Sequence, residues 1–284
     1  MRTPQNIIFD YQIKPRKKMG QCFLVDEQVT KSIVALADVH SRDVVVEIGA
    51  GIGVLTELIA QKAGKVIAVE LDEKLVDVLR DRLLGRYENV EICRGDILKF
   101  DFNAISGDDD LKIKVVGNVP YQISSALIFR LLSFRKAIGS FVLMLQKEVA
   151  KRLVAGPGSK DYGVPSVLLQ MFADVQPLLD VPSRCFHPRP KVESMVIKGV
   201  FLEKPAMELL DEDDFFRLVK ASFAQRRKML LNNLKNSKLL EGTPESSILE
   251  SLRFAGIDGE RRGETLTKEE YGLLSNYLKK MTKT

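Results

Sequence analysis

Four consecutive residues carry the most legible chemistry in the chain: Asn118, Val119, Pro120 and Tyr121. An amide side chain offers a carbonyl acceptor, and a nearby aromatic ring offers a flat apolar face. Together they suit a reaction at the exocyclic amine of adenine, a poor nucleophile because its lone pair is delocalised into the ring. The Asn118 carbonyl and a neighbouring backbone carbonyl would accept the two amine hydrogens, favour a pyramidal nitrogen and aim its lone pair at an electrophile. Tyr121 would stack on the extruded base. Base–aromatic stacking is worth on the order of 1 to 3 kcal/mol, comparable to the few kcal/mol that unstacking costs. An isolated Asn-x-Pro-Tyr run is better explained as a strand-end turn with a packed tyrosine, and it is the position after a fourth apolar run that reverses this reading.

Upstream, the apolar run Val44 to Ile48 passes directly into Gly49-Ala50-Gly51-Ile52-Gly53. Glycines let the backbone approach a ligand closely, and open strand ends are where α/β sheets bind nucleotides. A dinucleotide fingerprint would place its third glycine at position 54, where Val54 stands. Glu47, at the start of the loop, would repel a pyrophosphate and suits a cationic ligand such as S-adenosylmethionine. Glu70, closing the run Val66 to Glu70, is placed to accept hydrogen bonds from ribose hydroxyls. Asp96, after Gly95, offers an acceptor for the amino group of the cofactor's adenine. Each carboxylate alone could be a solvated strand-end group; the ordered set of Glu47, Gly49, Gly51, Glu70 and Asp96 reads as a nucleoside site. A sulfonium is already activated, so neither a protein nucleophile nor a metal is required. The three cysteines (Cys22, Cys93, Cys185) and two histidines (His40, His187) are scattered without ligand spacing, which argues against a zinc site or a disulfide framework.

These residues need a scaffold. Short β-branched runs alternate with amphipathic stretches: Val44 to Ile48, Val54 to Gln61, Val66 to Glu70, Glu73 to Leu84, Val90 to Cys93, Ile113 to Gly117, Ser125 to Leu132 and Phe141 to Leu145. That rhythm predicts an α/β domain with a mostly parallel sheet and helices on both faces, and the nucleoside site at its strand ends makes the expected class a Rossmann-like S-adenosylmethionine methyltransferase domain. A strand over Val192 to Phe201 closes it. The charged segment Glu203 to Asp214 reads as a linker, and helix-period apolar residues from Phe215 onward predict a small helical domain. The expected division is 1–203 for the methyltransferase domain and 204–284 for a helical RNA-binding domain.

The chain resembles the KsgA family of ribosomal RNA adenine dimethyltransferases over nearly its whole length. The resemblance rests on residues 17–24 (KKMGQCFL), Glu47 to Gly51, Asn118 to Ser124 and residues 186–192 (FHPRPKV), and on residues 225–228 (QRRK) and 262–266 (RGETL) near the C-terminus. It implies that Gln21, Cys22, Leu24, Gly49, Glu70, Asp96 and Asn118 line the cofactor site and that Tyr121 and Phe186 sandwich the target adenine. Where the family usually has Asn or His, this chain has Cys22, a weaker hydrogen-bonding group, which leaves a backbone contact for that position.

The formal net charge of +5 fits a polyanionic partner, but placement says more. Between Arg217 and Lys238 lie seven basic residues and no acidic one, among them Arg226, Arg227 and Lys228. With Lys17, Lys18, Arg189 and Lys191 near the expected site, they form the footprint of an RNA-binding surface. The implied partner is small-subunit ribosomal RNA within a pre-30S particle, engaged by a cytoplasmic monomer during ribosome biogenesis. No apolar run approaches the roughly 20 residues of a membrane span. A large-subunit RNA target, a non-catalytic assembly factor and an NAD-dependent oxidoreductase are the competing readings. The helical domain opposes the first, the intact loop and tetrapeptide the second, and Val54 the third.

Overall fold

The computed structural model describes residues 3–105 and 112–281, with the side chain of Lys17 outside the described set. In chain order the elements are α1 (Pro4–Asp10), β1 (Phe23–Leu24), α2 (Glu27–Leu36), β2 (Val44–Ile48), α3 (Val54–Ala60), β3 (Lys65–Glu70), α4 (Glu73–Leu83), β4 (Val90–Arg94), β5 (Ile113–Asn118), α5 (Ser124–Ser133), β6 (Ile138–Gln146), α6 (Lys147–Val154), α7 (Val164–Phe172), β7 (Ala173–Val181), β8 (Phe186–His187), β9 (Ser194–Phe201), α8 (Glu212–Ser222), α9 (Leu230–Lys235), α10 (Glu245–Phe254) and α11 (Lys268–Met281).

Seven strands form one sheet in the order β4-β3-β2-β5-β6-β9-β7. The pairs β2–β3, β3–β4, β2–β5 and β5–β6 are parallel, and β9 joins β6 antiparallel. The fold is therefore the expected α/β, Rossmann-like fold with a helical C-terminal part. Chain order runs outward from β2 through β3 to β4, then returns to the other side of β2 with β5. That reversal opens a crevice at the carboxyl ends of β2 and β5, the place where open α/β sheets bind ligands. Valines dominate β2 because its two faces are covered, and Val45, Val46 and Ile48 are fully buried. One apolar cluster joins sheet residues Val45, Val66 and Val116 to Ile33 and Val34 of α2, Ile59 of α3 and Leu79 and Leu83 of α4. A second cluster seats Ile7 of α1 against Ile52 of the glycine loop and Leu75 and Val78 of α4. Burying one such isoleucine side chain contributes roughly 1.5 to 3 kcal/mol, enough to dock a seven-residue helix that would not persist alone.

Contacts divide the chain into two compact units, Met1–Ala150 with Val175–Phe201, and Lys151–Asp174 with Leu202–Thr284. The segment 151–174 thus packs with the helical unit, a grouping that the expected division of 1–203 and 204–284 does not contain. The helices α1, α2, α6 and α7 and the strand β7 were not read from the sequence. The charged segment expected as a linker ends inside a helix: Asp211 caps α8 by accepting the Asp214 N–H, and Glu212, Asp213 and Asp214 form its acidic first turn. In the helical unit Phe215, Leu218, Leu234, Leu252, Tyr271 and Leu274 are buried. Among the described residues, no helix is long and apolar enough to cross a membrane.

Candidate active site

The glycine loop has the geometry its composition suggested. Gly49 and Gly51 adopt φ of 64° and 58°, a left-handed region that L side chains rarely enter. Gly49 N–H donates to the Val69 carbonyl (2.9 Å), which ties the loop to the end of β3. Glu70 completes that tie: its Oε2 accepts Gly51 N–H (2.9 Å), and its Oε1 accepts the N–H groups of Leu71 (2.8 Å) and Asp72 (2.9 Å). Burial raises the Glu70 carboxyl above its ordinary value despite these bonds. Arg82 of α4 grips the far side of the loop, donating to the Ile52 carbonyl and pairing with Glu57 of α3 at 2.9 Å.

A cavity of about 250 Å³ opens where these elements meet. Gln21, Cys22, Gly49, Gly51, Glu70, Asp96 and Asn118 all line it, together with Lys18, which the sequence had assigned to RNA. Apolar walls come from Phe23, Ile48, Val69, Leu71, Ile97 and Pro120. Among the described residues, its charged lining side chains are two carboxylates, Glu70 and Asp96, and one ammonium, Lys18. Such a slot suits a nucleoside carrying positive charge and disfavours a pyrophosphate. Asp96 has one oxygen committed, Oδ1 accepting the Leu98 N–H at 3.0 Å.

Three anchors hold the tetrapeptide. Asn118 ends β5 and donates its Nδ2 to the Cys22 carbonyl at 3.0 Å. Val119 N–H donates to the Met144 carbonyl of β6 at 3.1 Å. Tyr121 shares a 2.9 Å hydrogen bond between its hydroxyl and Ser194 Oγ. The Cys22 position acts through its main chain here, which explains how a thiol can stand there; burial raises that thiol's pKa.

Four residues lie elsewhere than expected. Glu47 is buried beneath the loop, outside the cavity lining, with Oε2 lacking a hydrogen-bond partner. Burial, reinforced by the nearby Glu70 charge, pushes its carboxyl up to about 8. Leu24 is buried in the main core, and its neighbour Phe23 lines the cavity instead. Phe186, paired opposite Leu24 in the two-stranded β1–β8 ribbon, is only 4% exposed, so its ring offers no free face in this conformation. Arg226 is engaged internally, donating to Glu264 (2.6 Å) and to the carbonyls of Lys160 (2.6 Å) and Tyr162 (3.0 Å). That ion pair joins the QRRK and RGETL segments. Arg227 and Lys228 are exposed, and so are Arg189 and Lys191 of the sheet unit. Lys17's side chain lies outside the described residues.

The sequence reading missed Asp72, Arg82 and Ser194. Asp72 caps α4 and receives both Arg16 (3.3 Å) and Gln21 Nε2 (2.8 Å), which fastens the segment 16–21 along the cavity. Its only local signal was an acidic residue just before a helical pattern.

A crevice at the strand reversal, a glycine loop tied to a strand-end carboxylate and an acceptor-bearing Asn-x-Pro-Tyr turn define a Rossmann-like methyltransferase. The chain belongs to the ribosomal RNA adenine dimethylase family, whose model matches residues 12–280. A ribosomal RNA small subunit methyltransferase A of Syntrophus aciditrophicus (strain SB) is 46% identical over 279 residues, covering 98% of this chain and 99% of that one. The protein of that name from Alkaliphilus metalliredigens (strain QYMF) is 44% identical over 271 residues, covering 95% and 93%. Among solved structures, a dimethyladenosine transferase from Plasmodium falciparum superposes with a TM-score of 0.77 at 28% identity, covering 88% of this chain and 94% of that one. The 23S rRNA methyltransferase ErmE shares the fold, with a TM-score of 0.70 at 24% identity and coverage of 90% and 99%.

Proposed function

We propose that this enzyme uses S-adenosylmethionine to dimethylate the N6 amines of two adjacent adenines in small-subunit ribosomal RNA, acting in the cytoplasm as a monomer on a pre-30S particle. The observation that carries the reading is the Asn118 bond to Cys22. With one Nδ2 hydrogen given to a main-chain carbonyl, the amide turns its donor end to Cys22 and its acceptor end is available to an incoming amine. When bound, S-adenosylmethionine supplies a methyl group already activated on a sulfonium. Glu70 accepts hydrogen bonds from its ribose hydroxyls and Asp96 from its adenine amine, while the glycine loop lets the main chain close on it. Gln21 and Cys22 complete the wall. On the substrate side, Asn118 Oδ1 accepts an amine hydrogen and turns the nitrogen lone pair towards the methyl, Tyr121 stacks on the extruded base, and the product proton leaves to water. Phe186 serves as the opposite face of the base once the β1–β8 ribbon yields. Lys18, Arg189 and Lys191 neutralise phosphates near the site, with Lys17 beside them, and Arg227 and Lys228 do so from the helical unit.

Asn118→Ala tests this directly, because its acceptor acts on the reacting amine. Single-turnover transfer should fall on the order of 100-fold or more, with RNA affinity largely retained. Near-normal transfer by the folded variant would remove Asn118 from the chemistry.

A further inference from the structure

Tyr121 follows Pro120 in a short helical turn that Ile123 N–H closes by donating to the Pro120 carbonyl (3.1 Å), a main-chain bond that does not itself fix the ring. The fixing contact comes from 73 residues away. Ser194 begins β9, where it pairs with Gln146 at the end of β6, and it is fully buried. Its Oγ lies 2.9 Å from the Tyr121 hydroxyl and, among the described residues, makes no other side-chain hydrogen bond. A buried hydroxyl without a partner costs about 1 to 3 kcal/mol, so both groups favour this pairing. We infer that Ser194 is a positioning residue for methyl transfer, holding the Tyr121 ring at the angle at which it receives the extruded adenine. The inference rests on the reading of Tyr121 as the stacking residue.

The placement explains why a serine at the start of an antiparallel strand matters to a site built on parallel ones. β9 is hydrogen-bonded to β6, β6 to β5, and β5 ends in Asn118. The strand that carries Ser194 is thus fixed in register with the one that carries the amine acceptor. The two substrate-facing groups are then referenced to one rigid sheet, Asn118 through the end of β5 and Tyr121 through its hydroxyl. A stacking ring free to rotate would hold the base less often in the reactive orientation, which lowers the transfer rate and leaves the cofactor cavity untouched.

The test is single-turnover transfer from labelled S-adenosylmethionine to small ribosomal subunits lacking the methyl marks, with cofactor affinity measured by calorimetry. The proteins compared are the wild type, Ser194→Ala, Ser194→Thr, Tyr121→Phe and the Ser194→Ala/Tyr121→Phe double variant. Ser194→Ala and Tyr121→Phe should each slow transfer roughly threefold to tenfold, the worth of one hydrogen bond, with unchanged cofactor affinity. The double variant should be no slower than either single one, and Ser194→Thr should recover most of the rate. Wild-type transfer in Ser194→Ala, or losses that multiply in the double variant, would overturn the proposal. If Ser194→Ala does not fold, Tyr121→Phe decides alone, since it removes the same bond and keeps the ring; a wild-type rate there overturns the proposal. Tyr121→Ala separates the two ideas: undiminished transfer in that variant would defeat the stacking reading itself, whereas strong loss with a normal Ser194→Ala defeats only the role of Ser194.

Discussion

At the scale of single residues, the site separates groups that line the cavity from groups that hold its wall in place. Glu70 does both, since its three main-chain acceptor bonds fix the loop while it remains in the cavity lining. Glu47, by contrast, is wholly internal, and its titration has a consequence for stability. In the unfolded chain its carboxyl ionises near 4.5, whereas in the folded protein burial delays ionisation to about 8. Between these values unfolding releases a proton, so this group's contribution to stability is full below pH 4.5 and is lost as pH rises towards 8. The slope reaches about 1.4 kcal/mol per pH unit. Glu47→Gln cannot ionise, and its unfolding midpoint should decline less than that of the wild type over this window. Parallel curves for the two proteins in denaturant titrations from about pH 5 to about pH 8 would show that Glu47 is ionised in the folded state.

At the scale of elements, the site depends on how closely β2 and β5 approach, because each strand delivers one of its two loops. Gly117 sits opposite Ile48, and a Cβ there would lie 2.7 Å from the Ile48 carbonyl oxygen. Gly117→Ala should therefore force the strands apart just below Gly49 and Asn118. Overpacking of this kind typically costs about 1 to 3 kcal/mol, and cofactor affinity should weaken with it. Wild-type denaturant midpoint and affinity would contradict so tight a fit. The parallel core of the sheet was legible because β-branched runs such as Val44 to Ile48 are buried on both sides and leave a continuous apolar signature. β7 gave no such signal, because its residues alternate irregularly between polar and apolar and its burial is broken. α1 and α2 were missed because only a narrow stripe of each is buried, Pro4 and Ile7 in one and Thr30, Ile33 and Val34 in the other. Within the site, the cavity-lining residues of the β2, β3 and β5 loops followed from strand-end chemistry. The supporting bonds of Asp72, Arg82 and Ser194 join residues 25 to 73 positions apart and leave no local pattern. Leu24 and Phe23 differ by one place on a two-residue strand, where alternation is too short to decide which side chain faces the cavity.

At the scale of the whole molecule, the cavity belongs to the sheet unit, and the proposed function gives part of the RNA surface to the helical unit. The basic stretch from Arg217 to Lys238 looked uniform in the sequence, but folding sorts it. Arg217 pairs with Asp214 (2.6 Å) and Lys235 with Glu245 (2.7 Å), while Arg226 holds Glu264 and two carbonyls. Arg226→Ala should consequently lower the unfolding temperature by several degrees. Arg227→Ala/Lys228→Ala should leave stability unchanged and weaken subunit binding, reducing the logarithmic salt slope by roughly 0.7 to 0.9 for each phosphate no longer neutralised. An unchanged slope in the folded double variant would move RNA binding off this surface. The central claim concerns what the assembled protein modifies, and it is tested most directly by mapping the product. Small and large ribosomal subunits lacking methyl marks would each be incubated with the protein and labelled S-adenosylmethionine, and their RNA digested to nucleosides. Label is expected in N6,N6-dimethyladenosine from two adjacent positions of the small-subunit RNA and not in the large-subunit RNA. Label confined to large-subunit RNA or to a nucleoside other than adenosine, or no transfer by protein shown to bind the cofactor, would contradict it.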